Sequence, residues 1–528
     1  MKQNNEIMKK LPLGIQTFSK LITGNYLYVD KTEEIYNLVN GGEYNFLSRP
    51  RRFGKSVLVS TLKEIFSGNK ELFKGLWIYD KIEWTQHPVI YIDFSKITNK
   101  TPEMLEDALH SLIDTTAADN DIQLSQGVLL KERFVELIKK ISAKGRVVIL
   151  IDEYDKPIIE HIETDNIETA KNNRRVLKNF FEVIKASDQY LRFVFITGVS
   201  KFSKVSVFSG LNNLRDITLS REFSTLLGYT GPELERYFGP YIERMQKKRG
   251  ITGNRLIDAI REWYNGYSWD GENFVYNPFS ILSLFTENIF KNFWFSSGTP
   301  GFLIEAIKKQ QSKIMDFENL PVKSYIFDYY DFGNLEISAL LFQTGYLTVK
   351  KITLKNFEET HHLSYPNKEV RDSFLAHLFW EYTQQEMTPG ARLLEQIGKA
   401  INAGDIERFI QEIKSLFASI PYHIFIGERE AYYHTIIYLI LKLNGAVVRC
   451  EESTNIGRID AVVETGEKIY VMEFKIGSEQ EALEQIKAKK YYEKYLGKGK
   501  EIVLLGIGFD VEKRNVGDYL LESIPKGG

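Results

Sequence analysis

Short apolar runs closed by polar residues punctuate the first part of the chain, and helical patterns fill the gaps. Tyr44, Phe46 and Leu47 form one run, and Pro88–Phe94 forms another with Asp93 near its end. Leu191–Thr197 and Ile217–Leu219 have the same form. Every position of Val147–Ile151 is apolar, which predicts a strand buried on both faces, as in a parallel sheet. Val57–Leu62 and Pro102–Ile141 read as helical between these runs. Strands alternating with helices predict an α/β fold, a parallel sheet with helices on both faces. From Tyr229 the pattern turns helical, with Pro232 near a helix start and Leu234, Tyr237 and Tyr241 apolar. Trp263–Pro278 holds Asn-Gly and Asp-Gly pairs that mark tight turns. Asn292–Gly301 is aromatic and closed by Gly and Pro. These aromatics read as core and turn, with stacking on bases as the alternative. Gly390–Ala403 and Ile406–Ala418 are helical again, and residues 310–420 offer no chemistry. Last come an amphipathic helix Glu430–Leu443, a strand Gly445–Glu451, strands Ala461–Val463 and Lys468–Lys475 joined by a turn at Thr465-Gly466, and a helix Glu479–Tyr495.

Length and composition narrow this picture. A chain of 528 residues predicts roughly three or four domains at ~150 residues each. The net charge of −2 leaves polyanion binding to local patches rather than bulk charge. The single cysteine, Cys450, excludes an internal disulfide and suits a reducing cytosol. The N-terminal stretch lacks the apolar core of a signal peptide. No apolar run approaches the ~20 residues that span a bilayer, Ile436–Leu443 included. A cytoplasmic protein without membrane contact is expected.

The first chemistry lies in Phe46–Ser56, FLSRPRRFGKS. A strand, a polar loop, Gly54-Lys55-Ser56 and a helix are the parts that hold a polyphosphate. Backbone N–H groups at the helix start face the phosphates, Lys55 reaches the β- and γ-oxygens, and Ser56 ligates Mg²⁺. The pattern G-x-x-x-x-G-K-[ST] asks for Gly where Arg49 stands, so a basic turn capping a helix is the alternative. Arg51 and Arg52 are candidates for phosphate contact or plain surface charges. Asp152 and Glu153 close the strand Val147–Ile151, where an open α/β sheet carries its ligand chemistry. Asp152 would hold Mg²⁺ through water and Glu153 would orient the attacking water. After Leu191–Thr197, a γ-phosphate sensor is expected among Thr197, Ser200 and Lys201. Upstream, Asp30-Lys31-Thr32 reads as a helix cap ahead of the acidic pair Glu33-Glu34.

SRPRRFGKS, VVILIDEYDKP, FITGVSKFSKVSVFSGLNNLRDI and YVDKTEEI together resemble the AAA-ATPase-like family of the P-loop NTPases, over residues 11 to about 300. Arginine at the first loop position is typical of that family. The resemblance implies ATP and Mg²⁺ as cofactors, with Lys55 and Ser56 on the phosphates and metal, and Asp152 and Glu153 serving hydrolysis. It also implies a helical lid over the nucleotide and a connecting domain.

The second chemistry is near the C-terminus. Glu473 and Lys475 stand two apart on a strand and share a face. A hairpin brings Asp460 beside them. Two carboxylates and a lysine suit phosphodiester hydrolysis, with Mg²⁺ held by the acids. Gln485 lies on the inner face of the next helix, and Lys487, Lys489, Lys490 and Lys494 suit phosphates. Each feature alone is also ordinary for a hairpin edge and a solvated helix. EREAYYH, GRIDAVV, YVMEFK and ALEQIKAKKYYEKY, in that order, resemble the PD-(D/E)xK nuclease superfamily over about residues 415–528. The resemblance implies Asp460 and Glu473 as metal ligands, Lys475 as catalytic lysine, Glu430 assisting the metal and Gln485 supporting the site. It also implies a restriction-endonuclease-like α/β domain.

The expected organisation is thus a P-loop core (1–225), a helical lid (226–310), a mostly helical connector (311–414) and a nuclease-like domain (415–528). The expected function is an ATP switch coupled to a Mg²⁺-dependent nuclease acting on DNA rather than RNA, with homo-oligomerisation open. The alternatives are a signalling or scaffold NTPase whose C-terminal domain binds nucleic acid or a protein without cutting, and an ATP-driven remodeller.

Overall fold

The computed structural model describes residues 8–163, 166–201, 207–208, 210–251, 253–295, 301–310, 317–328, 336–385, 387–421, 430–444, 447–453 and 458–525. The chain divides into two compact units. One comprises Met1–Gln310 and Asn319–Val370, the other Gln311–Glu318 and Arg371–Gly528. Among the described residues no helix is long and apolar enough to cross a membrane.

The first unit is built on a five-stranded parallel sheet of β1 (Tyr44–Ser48), β2 (Val89–Asp93), β3 (Val147–Asp152), β4 (Leu191–Gly198) and β5 (Arg215–Asp216), in the order β2-β3-β4-β1-β5. All six positions of β3 are buried because both faces are covered. Ile149 and Ile151 enter a core with Ile90, Ile92, Leu109 and Phe181 on one side. Val148 and Leu150 enter another with Leu58, Leu62, Phe193 and Phe195 on the other. The fifth strand is Arg215–Asp216, so the expected Ile217–Leu219 falls just after it in a turn, where the Ile217 N–H donates to the Phe46 carbonyl at 3.0 Å. Past Thr230 the helices Gly231–Arg249, Arg255–Tyr264 and Pro278–Glu287 close their own core around Leu234, Phe238, Ile260 and Phe285. The first of them starts with a reciprocal cap between Thr230 and Glu233. Of the two expected turn pairs, Asp270-Gly271 lies between the short strands β6 (Asn265–Tyr267) and β7 (Val275–Tyr276), whereas Asn265-Gly266 is the start of β6 itself.

Residues 311–414 are not helical throughout. They carry a three-stranded antiparallel sheet, β8 (Leu320–Lys323), β9 (Thr348–Lys355) and β10 (Glu358–Ser364), in the order β8-β10-β9. The many charged residues of β9 and β10 masked their alternation in the sequence reading. A helix Lys368–Thr383 follows.

The second unit holds a mixed sheet of β11 (Val447–Ser453), β12 (Arg458–Glu464), β13 (Lys468–Ile476), β14 (Glu501–Asp510) and β15 (Asn515–Ile524), in sequential order. Only β13 and β14 run parallel, joined through the helix Glu479–Ala488. That helix stops seven residues before the expected Tyr495. Lys490 turns into the left-handed region (φ 47°) and the chain passes into a 3₁₀ segment, Glu493–Lys498. Gly506 and Gly508 on β14 pair with Glu473 and Lys475. A Cβ on Gly506 would lie 2.6 Å from the backbone of both Glu479 and Leu483, so glycine is what lets the helix settle on this part of the sheet. Gly506→Ala is expected to destabilise this unit by about 2 kcal/mol, the scale of overpacking. The reading is a lower midpoint in urea, and an unchanged midpoint would show the helix free to move away.

Candidate functional site

β1 feeds the loop Arg49–Gly54, in which Arg52 (φ 70°) and Gly54 (φ 90°) adopt left-handed backbone. The helix Lys55–Phe66 starts directly after Gly54. Lys55 is buried and folds back, its Nζ donating to the carbonyl oxygens of Arg49 and Pro50, each at 2.9 Å. The Trp294 indole Nε1 donates to the Arg51 carbonyl at 3.1 Å. Three consecutive loop carbonyls therefore face donors of the protein. The first-turn N–H groups of the helix are the ones a helix end offers to an anion.

Asp152 ends β3, one strand away from the loop strand. The Ser56 hydroxyl and the Lys55 ammonium both favour its ionised carboxylate. Burial pushes this carboxyl up to about 6, against the opposing pull of Ser56 and Lys55. Its Oδ1 is buried and has no hydrogen-bond partner among the described residues. An orphaned carboxylate oxygen beside a hydroxyl fits a hard divalent cation. Burial also lowers the Lys55 ammonium, opposed first by Asp152 and then by Asp155 and Glu153. Glu153 has φ 54°, a strained setting for a residue with a Cβ, of the kind found at functional sites.

A cavity of about 440 Å³ opens beside the loop, lined by Arg51, Arg52, Lys55, Ser56 and Glu153 at its charged part. Leu21, Leu27, Val29, Leu227 and Phe279 make its apolar wall. The Arg52 guanidinium lies over the Phe279 ring at 4.8 Å. Asp30-Lys31-Thr32 does more than cap a helix. The Asp30 carboxylate accepts from the Thr32 and Trp77 N–H groups, and Lys31, on the cavity wall, pairs with Glu233 at 2.6 Å.

The three sensor candidates are all engaged inside the fold. The Thr197 hydroxyl donates to the Leu47 carbonyl at 2.9 Å. The Ser200 hydroxyl donates to Asp155 Oδ2 at 2.8 Å, and Ser200 is fully buried. Lys201 pairs with Asp216 at 3.0 Å.

In the second unit, β12 and β13 form the expected hairpin, with Ala461 opposite Met472. Asp460 therefore meets Glu473. The Phe474 N–H donates to Asp460 Oδ2 at 2.9 Å, and the Asp460 N–H donates to Glu473 Oε2 at 3.4 Å. Gln485 Nε2 donates to Glu473 Oε1. Burial raises the Glu473 carboxyl well above the usual range, the Asp460 charge adds to this, and Lys475 opposes it. Two acids crowded in a buried place, relieved by one lysine, fit a cation. Glu430 opens the helix Glu430–Leu443, but its side chain lies outside the described residues. Among the described residues no three His, Cys, Asp or Glu side chains form a ready metal cluster. Of the lysines, Lys487 pairs with Glu522 at 2.8 Å and Lys490 with Glu493 at 3.2 Å.

The comparisons with known proteins follow this division. A family model described as predicted AAA-ATPase matches residues 12–208, and one described as PD-(D/E)XK nuclease superfamily matches residues 428–519. An uncharacterized protein in the vnfD 5′ region of Azotobacter chroococcum mcd 1 is 38% identical over 530 residues, covering 98% of this chain and 99% of that protein. The chain belongs to the predicted AAA-ATPase family. It carries an ATPase-like module and a PD-(D/E)XK nuclease-like domain.

The arginine at the first position of this AAA-ATPase loop has a structural reason. Arg49 is buried, donates to the carbonyls of Ser48 (2.9 Å), Thr218 (2.8 Å) and Phe223 (3.2 Å), and lies 3.8 Å from the Trp269 ring centre. It ties the loop to the segments after β5 and β6. Sequence reasoning also missed two side chains of the nuclease-like site. His434 Nε2 lies 3.8 Å from Asp460 Oδ2, and Tyr491 is buried beside Gln485, Glu473 and Asp460. The signal for His434 was its place four positions after Glu430, one helical turn along.

Arg49→Gly, which restores the common pattern, is expected to destabilise the protein by about 3 kcal/mol, since three buried carbonyls lose a charged donor. Chemical denaturation reads this, and equal or greater stability would contradict it. A second outcome concerns Glu369, fully buried and pushed up to about 7 by burial. Between pH 4.5 and 7 the folded chain keeps a proton that the unfolded chain has released, so this group's contribution falls as pH rises. Over that window the wild type should lose about 3 kcal/mol relative to Glu369→Gln. Parallel stability profiles would contradict this.

Proposed function

We propose that this protein is a cytoplasmic ATPase coupled to a metal-dependent nuclease acting on DNA. The observation that carries the reading is that each unit crowds a buried, raised carboxyl against the groups its chemistry needs, Asp152 with Ser56 and Lys55, and Glu473 with Asp460 and Lys475.

In the first unit the apolar wall of the cavity takes the base and the loop takes the phosphates. Lys55 exchanges the Arg49 and Pro50 carbonyls for β- and γ-phosphate oxygens. Ser56 and Asp152 would hold Mg²⁺, which would supply charge neutralisation at the phosphates. Glu153 orients the attacking water. Arg51 and Arg52, both on the cavity rim, contact phosphate oxygens. Ser200 acts through Asp155, fixing the end of β4 beside the loop.

In the second unit Asp460 and Glu473 would hold a divalent metal, which would supply an activated water and charge stabilisation for phosphodiester cleavage. Lys475 holds or deprotonates the nucleophile. Gln485 fixes the orientation of Glu473, and Glu430 would assist the metal. The second reading is a domain that binds without cutting. It is favoured by the engagement of both carboxylates with backbone N–H groups and Gln485.

Lys55→Ala should abolish binding of a fluorescent ATP analogue while leaving Mn²⁺-dependent cleavage measurable. Unchanged affinity would remove the phosphate assignment. Glu473→Gln and Lys475→Ala should each lower cleavage by at least about a hundredfold with ATP turnover intact, the scale seen when one electrostatic or acid–base group is removed. The assay titrates Mg²⁺ and Mn²⁺ over single-stranded, double-stranded and structured DNA and RNA. Binding without cleavage across this panel selects the second reading, and cleavage indifferent to ATP ends the coupling.

A further inference from the structure

The aromatic stretch around Trp294 reads from sequence as core, yet it grips the nucleotide loop. The Trp294 indole donates to the Arg51 carbonyl. Its own backbone N–H donates to Glu369 Oε1 at 2.7 Å. Glu369 Oε2 in turn accepts from the Ser280 hydroxyl at 2.8 Å. Glu369 and Ser280 are fully buried and Trp294 nearly so. Pro50, next to Arg51, lies where a Cβ on Gly345 would fall, at 2.7 Å, and the Trp294 ring is at 3.3 Å from the same point.

The contact bears on a specific weakness of the loop. Arg52 has φ 70°, and a residue with a Cβ costs roughly 1–2 kcal/mol there. Rotating the Arg51–Arg52 peptide plane by half a turn would relieve that strain. It would also swing the Arg51 carbonyl oxygen from the protein toward the cavity, where a phosphate would meet negative charge instead of an N–H group. In the structure the indole N–H is what the carbonyl gains by staying.

We propose that Trp294, anchored by Glu369, is a positioning residue of the nucleotide site, which holds the Arg51–Arg52 peptide in the orientation that presents N–H groups to phosphate. This rests on the reading that the loop binds a nucleoside triphosphate. Neither residue touches the nucleotide. The pair explains why a loop with arginine in place of its first glycine keeps an anion-binding shape.

The test uses the full chain with Mg²⁺ and a fluorescent ATP analogue. Trp294→Phe keeps the ring and removes the indole N–H, and Glu369→Gln keeps one acceptor and removes the charge. Each single variant is expected to weaken binding about three- to tenfold, the scale of one hydrogen bond. The double variant is expected to be no weaker than the worse single one, because both act through one contact. Nucleotide-free unfolding midpoints are measured alongside and should stay close to wild type for Trp294→Phe. Wild-type affinity retained within twofold overturns the proposal. So do additive losses, or a loss that only follows a fall in the nucleotide-free midpoint, which would make Trp294 a packing residue. Failure of the wild type itself to bind the analogue refutes the nucleotide reading instead, and Ser280→Ala, one bond further back, should show a smaller loss of the same kind.

Discussion

A buried carboxylate is stable only with compensation, and both candidate sites are built around that condition. Asp152 is held between Ser56 and Lys55 with one oxygen lacking a partner among the described residues, and its proton affinity is raised by burial. Glu473 is raised by burial and by Asp460, with Lys475 and Gln485 opposing. Hydrophobic packing alone would favour neutral residues at both places. The cost of keeping acids there is the physical reason to assign them chemistry, and the surrounding elements are arranged to hold them.

The two folds meet that condition differently. In the first unit the parallel sheet brings the ends of β1 and β3 to the same edge with β4 between them, so residues a hundred positions apart share one pocket. The loop is then fixed from behind, by Lys55 under its own carbonyls, Arg49 under Trp269, and Trp294 on Arg51. In the second unit a hairpin does the same work locally, and two glycines on β14 let a helix approach closely enough for Gln485 to reach Glu473.

Strands β1 to β4 were legible because their apolar runs mark them, whereas β5, the charged pair Arg215-Asp216, was not, and the residues proposed for the two sites stood out because they lie at strand ends and at a spacing of two. The sheet β8-β10-β9 was not, since its charged faces imitate a connector. The end of the helix Glu479–Ala488 was missed because a left-handed Lys490 has no compositional mark. The role of Arg49 was recognisable only as a departure from a pattern. Its three carbonyl partners come from residues up to 174 positions away, a distance no local periodicity reports. Trp294 and Glu369 were missed for the same reason, and Tyr491 was hidden in a run that reads as solvated helix.

Anomalous diffraction from crystals grown with Mn²⁺ and a non-hydrolysable ATP analogue tests the central claim most directly. Two manganese peaks per chain are expected, one within coordination distance of Ser56 or the water shell of Asp152, the other bridging Asp460 and Glu473. A chain that binds the analogue with no metal at Asp152, or one whose Asp460–Glu473 pair stays metal-free at saturating Mn²⁺, would contradict the account.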